Sequence, residues 1–202
     1  MNIIFDLDGT LIDSKMRLFK LFSHLVPHSS LTYDSYWDLK LRDISNLEIL
    51  KKLYSFTSIQ LDEFNENWML LIEDPKYLKF DEPIEGVFDY LKALKNKNTL
   101  FVCTARQFED RANEQLVALR LSSFFQGVFV TEQSMSKEQL ISDNINISNS
   151  DWIIGDTGND IKVGHILGIN SCAVLTGFLS VDVLKKYEPK LLVNSIIDFK
   201  LD

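Results

Sequence analysis

Several kinds of partner and chemistry find little support in this chain of 202 residues. Lys and Arg number 21 against 29 Asp and Glu, a formal net charge of −8, and nowhere do they form a basic run. Nothing in it would neutralise a phosphate backbone, so no nucleic-acid polymer is expected as a partner. No apolar run approaches membrane-spanning length, and Asp6 and Asp8 interrupt the N-terminal apolar stretch too early for a signal peptide. A cytoplasmic protein with no membrane partner is expected. Both cysteines, Cys103 and Cys172, sit inside short apolar runs, where a small buried thiol in a reducing compartment is the usual reading. Nothing beside Cys103 would lower its pKa enough to make it a nucleophile. His24 and His28 have a metal-ligand spacing, but Pro27 ends the helix that would align them and no third ligand is near, so zinc is not expected. His165 reads as a helix-face residue, and there is no internal repeat or low-complexity tract.

What is present is an ordinary globular composition, 46% hydrophobic and 25% charged, sufficient for one domain or one domain with a modest insertion. Apolar runs at Ile3 to Phe5, Leu100 to Cys103, Val128 to Val130, Trp152 to Ile154 and Cys172 to Leu175 read as buried strands. Between them lie stretches of helical period, Val87 to Leu94, Arg111 to Leu119, Lys137 to Asp143 and Ile161 to Leu167. Strand alternating with helix predicts an α/β fold, a parallel sheet covered on both faces. Residues 15–80 break the alternation. "MRLFKLFSHLV", "LEILKKLYSF" and "LDEFNENWMLLI" carry apolar positions at helical spacing and no convincing strand. They predict a helical insertion, a cap over residues 15–80 on a core of residues 1–14 and 81–202, with Pro83 and Gly86 as hinge or helix-start residues. An insertion placed there suits a lid. Trp37, Trp68 and Trp152 read as core or cap packing.

The first strand runs into "NIIFDLDGTLIDS", where Asp6 and Asp8 stand one residue apart at a bend marked by Gly9. Nearby carboxylates repel, so one holds a proton or a cation sits between them. Ligands of open parallel sheets bind outside the carboxyl ends of the strands. The residues just past the apolar runs are Asp6 and Asp8, Thr104, Lys137, and Asp156 with Asp160. One hydroxyl, one ammonium and four carboxylates on one edge suit phosphoryl transfer, in which catalysis is mostly positioning and charge neutralisation. The hard oxygen donors suit Mg²⁺. Asp6 is the candidate nucleophile, and Asp8 the acid and base that serves leaving group and water. Thr104 and Lys137 would bind phosphate oxygens. Ser136 with Gln139 offers a capping box that would hold Lys137 in the first turn of its helix.

In order, "DLDGTLIDS", "CTAR", Lys137 in "SMSKEQL" and "GDTGNDI" resemble the four motifs of the haloacid dehalogenase-like phosphatases. The resemblance implies a Rossmann-like core with a helical cap after the first motif. It also implies Mg²⁺ held by Asp6, the Asp8 carbonyl and Asp156, with Asp160 supporting that shell. The cap position is closest to the subgroup of phosphoglycolate phosphatases and beta-phosphoglucomutases, which implies a small substrate. "DLKLRDISNLEIL" resembles the specificity-loop region of that subgroup, making Lys40 and Arg42 candidates for substrate contact. Arg106, bulkier than the residue many relatives carry there, would reach a substrate anion or pair on the surface. The expected function is a Mg²⁺-dependent phosphatase of a small phosphorylated metabolite, with a phosphomutase as the alternative and a non-catalytic binding protein as a third reading. A dehalogenase needs no proton for its leaving halide, and Asp8 argues against it.

Overall fold

Ile3, Ile4 and Phe5 are wholly buried, as befits the middle strand of a parallel sheet, where both faces are covered and the sequence loses its polar alternation. In the computed structural model, which describes residues 1–201, this strand is β1 (Asn2–Phe5). β4 (Thr99–Thr104), β5 (Gly127–Val130), β6 (Trp152–Gly155), β7 (Asn170–Val174) and β8 (Leu191–Val193) join it in a six-stranded parallel sheet of order β5-β4-β1-β6-β7-β8. Five of these strands coincide with the apolar runs. The sixth, β8, is three residues long and not fully buried, too weak a pattern to stand out in the sequence. Strand order runs outward from β1 in both directions, so a crevice opens at the carboxyl end of β1.

Successive β1 residues feed two different cores. Ile3 and Phe5 pack with Val87, Leu91 and Leu116, residues of α6 (Val87–Lys95) and α7 (Glu109–Ala118). Ile4 packs with Ile141 of α8 (Lys137–Asn144) and Val163 of α9 (Gly158–Leu167) on the other face. A last short helix, α10 (Val181–Lys185), precedes β8. Cys103 and Cys172 are buried and unbridged, and His165 is an exposed helix-face residue. Trp152 packs in the core of the sheet.

Residues between β1 and α6 build a third core. β2 (Ile12–Asp13) leads to α1 (Lys15–Leu25), α2 (Tyr33–Lys40), α3 (Asn46–Leu53), α4 (Ser58–Leu71) and α5 (Pro75–Leu78), and β3 (Glu82–Pro83) leads back. Phe22, Tyr36, Trp37, Ile49, Leu50 and Phe64 fill it, with Trp68 against its side. Capping boxes at Thr32 with Ser35, Ser45 with Glu48, and Thr57 with Gln60 start three of the helices. β2 and β3 pair antiparallel, Ile12 with Pro83 and Asp13 with Glu82, so the chain leaves and returns side by side. Pro83 therefore belongs to a ribbon, not a free loop, while Gly86 takes a positive φ of 77° to start α6. Among the described residues, no helix is long and apolar enough to cross a membrane.

Candidate active site

The chain turns sharply past β1, because the Leu7 carbonyl accepts from the backbone N–H groups of Thr10, Leu11 and Ile12. Gly9 allows the turn with a φ of 80°. Asp6 is thereby presented at the strand's carboxyl end. Thr104 closes β4. Lys137 opens α8 behind the expected capping box, in which the Ser136 side chain accepts from the Gln139 N–H. Asp156 follows β6, and Asp160 lies in the first turn of α9, where it accepts from the Thr157 hydroxyl at 2.7 Å.

These residues meet. Lys137 Nζ donates to Asp6 Oδ1 and to Asp160 Oδ1, each at 2.6 Å. One oxygen each of Asp6, Asp156 and Asp160 lies within 4.8 Å of the others. Asp156 is fully buried, and its Oδ2 accepts from the Phe178 N–H at 2.9 Å while Oδ1 has no hydrogen-bond partner. Two backbone walls confine it. A Cβ on Gly177 would fall 1.9 Å from Asp156 Oδ2, and one on Gly9 would fall 2.6 Å from it. Burial pushes the Asp6 carboxyl up to about 7 against the pull of Lys137, and burial with the Asp6 charge beside it drives Asp156 well above the carboxylate range. For Lys137, burial opposes the charge, but Asp160 and Asp6 outweigh it and raise its pKa. Three carboxylates share one ammonium, and a buried oxygen is orphaned, so the donor set fits a hard divalent cation such as Mg²⁺.

A cavity of about 710 Å³ opens onto this cluster, bordered by Asp6, Asp8, Thr104, Lys137 and Asp156 from the sheet edge and by Lys40 and Trp68 from the helical segment. Arg42 does not border it. That side chain is exposed and donates Nε to the Asp38 carbonyl at 3.0 Å. Arg106 is 4% exposed, and the alternative of a surface pair is corrected: it lies inside, bidentate on Asp8, with Nε to Oδ2 at 2.8 Å and Nη2 to Oδ1 at 2.9 Å.

Asp8 is gripped from the other side as well, by Arg17 Nη2 on Oδ1. Burial alone would raise its pKa, but Arg106 and Arg17 together hold it well below the usual carboxylate range. Both guanidiniums also reach Asp81, Arg17 Nε at 3.2 Å from Oδ1 and Arg106 Nη2 at 3.5 Å from Oδ2. Gln115 donates to Asp81 Oδ2 at 2.7 Å. Sequence reasoning missed Arg17, Asp81 and Gln115. For Arg17 a signal existed: with Leu18, Leu21 and Phe22 it occupies the buried stripe of α1, and a charge on such a stripe calls for a buried partner. Asp81, in "KFDEPIEG", reads as a solvated turn.

Charged groups gathered at the carboxyl edge of a parallel sheet, under a helical segment, mark a candidate active site at the centre strand of an α/β fold. Sequence comparison places the chain in the haloacid dehalogenase-like hydrolase family, which matches residues 3–174 and to which it therefore belongs. It is 25% identical to the phosphoglycolate phosphatase of Agrobacterium fabrum, across 95% of this chain and 87% of that one. Similarity to the pyrophosphatase PpaX of Halalkalibacterium halodurans is 21% identity over 98% of this chain and 94% of the relative. A haloacid dehalogenase-like hydrolase of Streptococcus pneumoniae superposes with a TM-score of 0.78 at 21% identity, covering 96% of this chain and 93% of the other. The family resemblance and the fold class expected from the sequence are both borne out.

Proposed function

We propose that this hydrolase is a Mg²⁺-dependent phosphatase of a small phosphorylated metabolite, working through an aspartyl-phosphate on Asp6. The observation that carries the reading is Asp6 at the cavity wall, one oxygen held by Lys137 and the carboxylates of Asp156 and Asp160 beside it. Family membership and the names of the relatives support the reaction class.

In this mechanism the second Asp6 oxygen attacks phosphorus and the bond to the ester oxygen breaks, with Lys137 and Thr104 binding phosphoryl oxygens. Asp8 gives a proton to the departing oxygen, then takes one from the water that cleaves the aspartyl-phosphate, releasing inorganic phosphate. Arg106 and Arg17 hold Asp8 ionised, so to act as acid one Asp8 oxygen must first exchange a guanidinium partner for a proton taken from solvent. Asp6, the Asp8 backbone carbonyl and Asp156 would hold the Mg²⁺, with Asp160 in support; when bound it supplies positive charge to the phosphoryl oxygens. Residues 15–80 act as cap on a core of 1–14 and 81–202. Lys40 is the cap's candidate for substrate contact, since it borders the cavity, makes no ion pair among the described residues, and has its pKa lowered by burial. Arg106 serves through Asp8, and Arg42 contacts substrate only if its present bond to Asp38 is exchanged.

The test is phosphate release from a panel of phosphorylated metabolites, pyrophosphate and phosphoglycolate included, with Mg²⁺ or with chelator, for wild type and Asp6→Asn. Metal-dependent release that Asp6→Asn abolishes is expected. Turnover in chelator, or full activity of the variant, overturns the mechanism, and interconversion of sugar phosphates without release gives the mutase instead.

A further inference from the structure

Asp81 lies outside the reaction just described, yet it is fully buried at the point where the helical segment rejoins the sheet, immediately before β3. Its two oxygens meet three partners from three different parts of the fold. Arg17 comes from α1, Arg106 from the loop after β4, and Gln115 from α7. Each arginine that touches Asp81 also touches Asp8. A guanidinium is a rigid planar fork, so anions on two of its edges fix its plane and the position of whatever it holds.

From this geometry we infer that Asp81 is a positioning residue for proton transfer: it anchors Arg17 and Arg106, and through them sets where the Asp8 carboxylate stands and how firmly it is held. Asp8 and Asp81 together face two guanidiniums. A further carboxylate, Glu73, accepts from the Gln107 N–H at 2.6 Å and adds its charge to those acting on Arg106. Burial pushes the Asp81 carboxyl up to about 7 against the pull of Arg17 and Arg106, so the anchor is strongest above that pH; without it, Asp8 is the one carboxylate left in contact with both guanidiniums. Arg17 is then left with Asp8 and the Ile72 carbonyl, which accepts from its Nη1 at 3.3 Å, and Arg106 with Asp8, so Asp8 is drawn toward both instead of presenting an oxygen to the leaving group. Proton delivery suffers while attack by Asp6, held separately by Lys137, does not. Gln115 takes part by holding Asp81, its amide being the only uncharged donor on that carboxylate among the described residues.

This inference rests on the phosphatase reading, and its test separates the two. The probes are aryl phosphates graded from p-nitrophenyl phosphate, whose leaving group departs without a proton, to unsubstituted phenyl phosphate, which benefits from one. The quantity read is kcat/KM, which reports formation of the aspartyl-phosphate. Asp81→Asn is expected to lose about tenfold or more on phenyl phosphate and less than about twofold on p-nitrophenyl phosphate, within the range general acid catalysis contributes. Asp81→Glu is expected to recover part of that loss. A uniform fall across the series, or none, overturns the positioning role while leaving the phosphatase intact. A wild type inert toward every probe overturns both. If Asp81→Asn does not fold, Gln115→Met, which frees Asp81 without altering its charge, is measured on the same series. A loss confined to the poorer leaving groups is expected there too, and a uniform fall or none again overturns the role.

Discussion

Two groups of buried charge reach one cavity, through Asp6, Lys137 and Asp156 in one case and Asp8, Arg17 and Arg106 in the other, and they are built on opposite accounts of charge. In one, Asp6, Asp156 and Asp160 share the single ammonium of Lys137. In the other, Asp8 and Asp81 share the two guanidiniums of Arg17 and Arg106. Buried charge is tolerated when it is matched. The matched group is therefore balanced in formal charge as it stands, and can serve to hold a side chain in place. The unmatched group sets three carboxylates against one ammonium and has room in its charge balance for a further cation.

That contrast can be broken experimentally, most severely at Lys137. Lys137→Ala leaves Asp6 and Asp160 buried without their counter-charge, and is expected to reduce phosphate release roughly 10²–10³-fold and unfolding free energy by about 3–5 kcal/mol. Activity assays and urea titration in chelator measure the two effects, and a variant as stable as wild type would mean that the ammonium does not balance these carboxylates. A smaller effect separates the groups by metal response. At a hundredfold excess over its dissociation constant, Mg²⁺ should stabilise wild type by about 2.7 kcal/mol. Thermal melts should show that shift lost in Asp156→Asn and kept in Asp81→Asn; the reverse pattern would assign the cation to the other group.

The smallest effect is in pH. Asp6 is raised from 3.8 to about 7 by burial, so the folded state binds a proton more tightly than the unfolded one. Its contribution is complete below pH 3.8 and disappears as pH rises through about 7. Asp8 is shifted the other way by its arginines, so its contribution is present above pH 3.8 and disappears only as pH falls through its depressed folded value. In chelator, melting temperature should therefore fall modestly between about pH 5.5 and about pH 7.5. Burial also raises Asp81 to about 7, so Asp6→Asn should reduce that fall without abolishing it, and a slope unchanged in Asp6→Asn would remove the basis for the difference.

Legibility in the sequence follows the same division. β1, β4, β5, β6 and β7 are uninterrupted apolar runs, because strands buried on both faces leave that trace, and the residues that follow them converge as strand ends in one sheet must. Lys137 is placed by a local rule, the Ser136 cap. β2, β3 and β8 are two or three residues long and owe their pairing to neighbours distant in the chain. Beyond the place of Arg17 on the buried stripe of α1, the matched cluster is illegible for that reason too: Arg17, Asp81, Arg106 and Gln115 come from four separate segments, and no spacing relates them. Arg106 looks like a surface charge because nothing local announces a buried partner 98 residues away.

β1 is hydrogen-bonded along both edges, to β4 and to β6. Its interior amides therefore have no edge from which to fray, and isotope exchange there should proceed only when the whole sheet comes apart. Asp6, whose own N–H donates to Ile154, is carried by that slowest-exchanging stretch of backbone. The proposed nucleophile is thus fastened to a stretch of backbone expected to be among the last to let go.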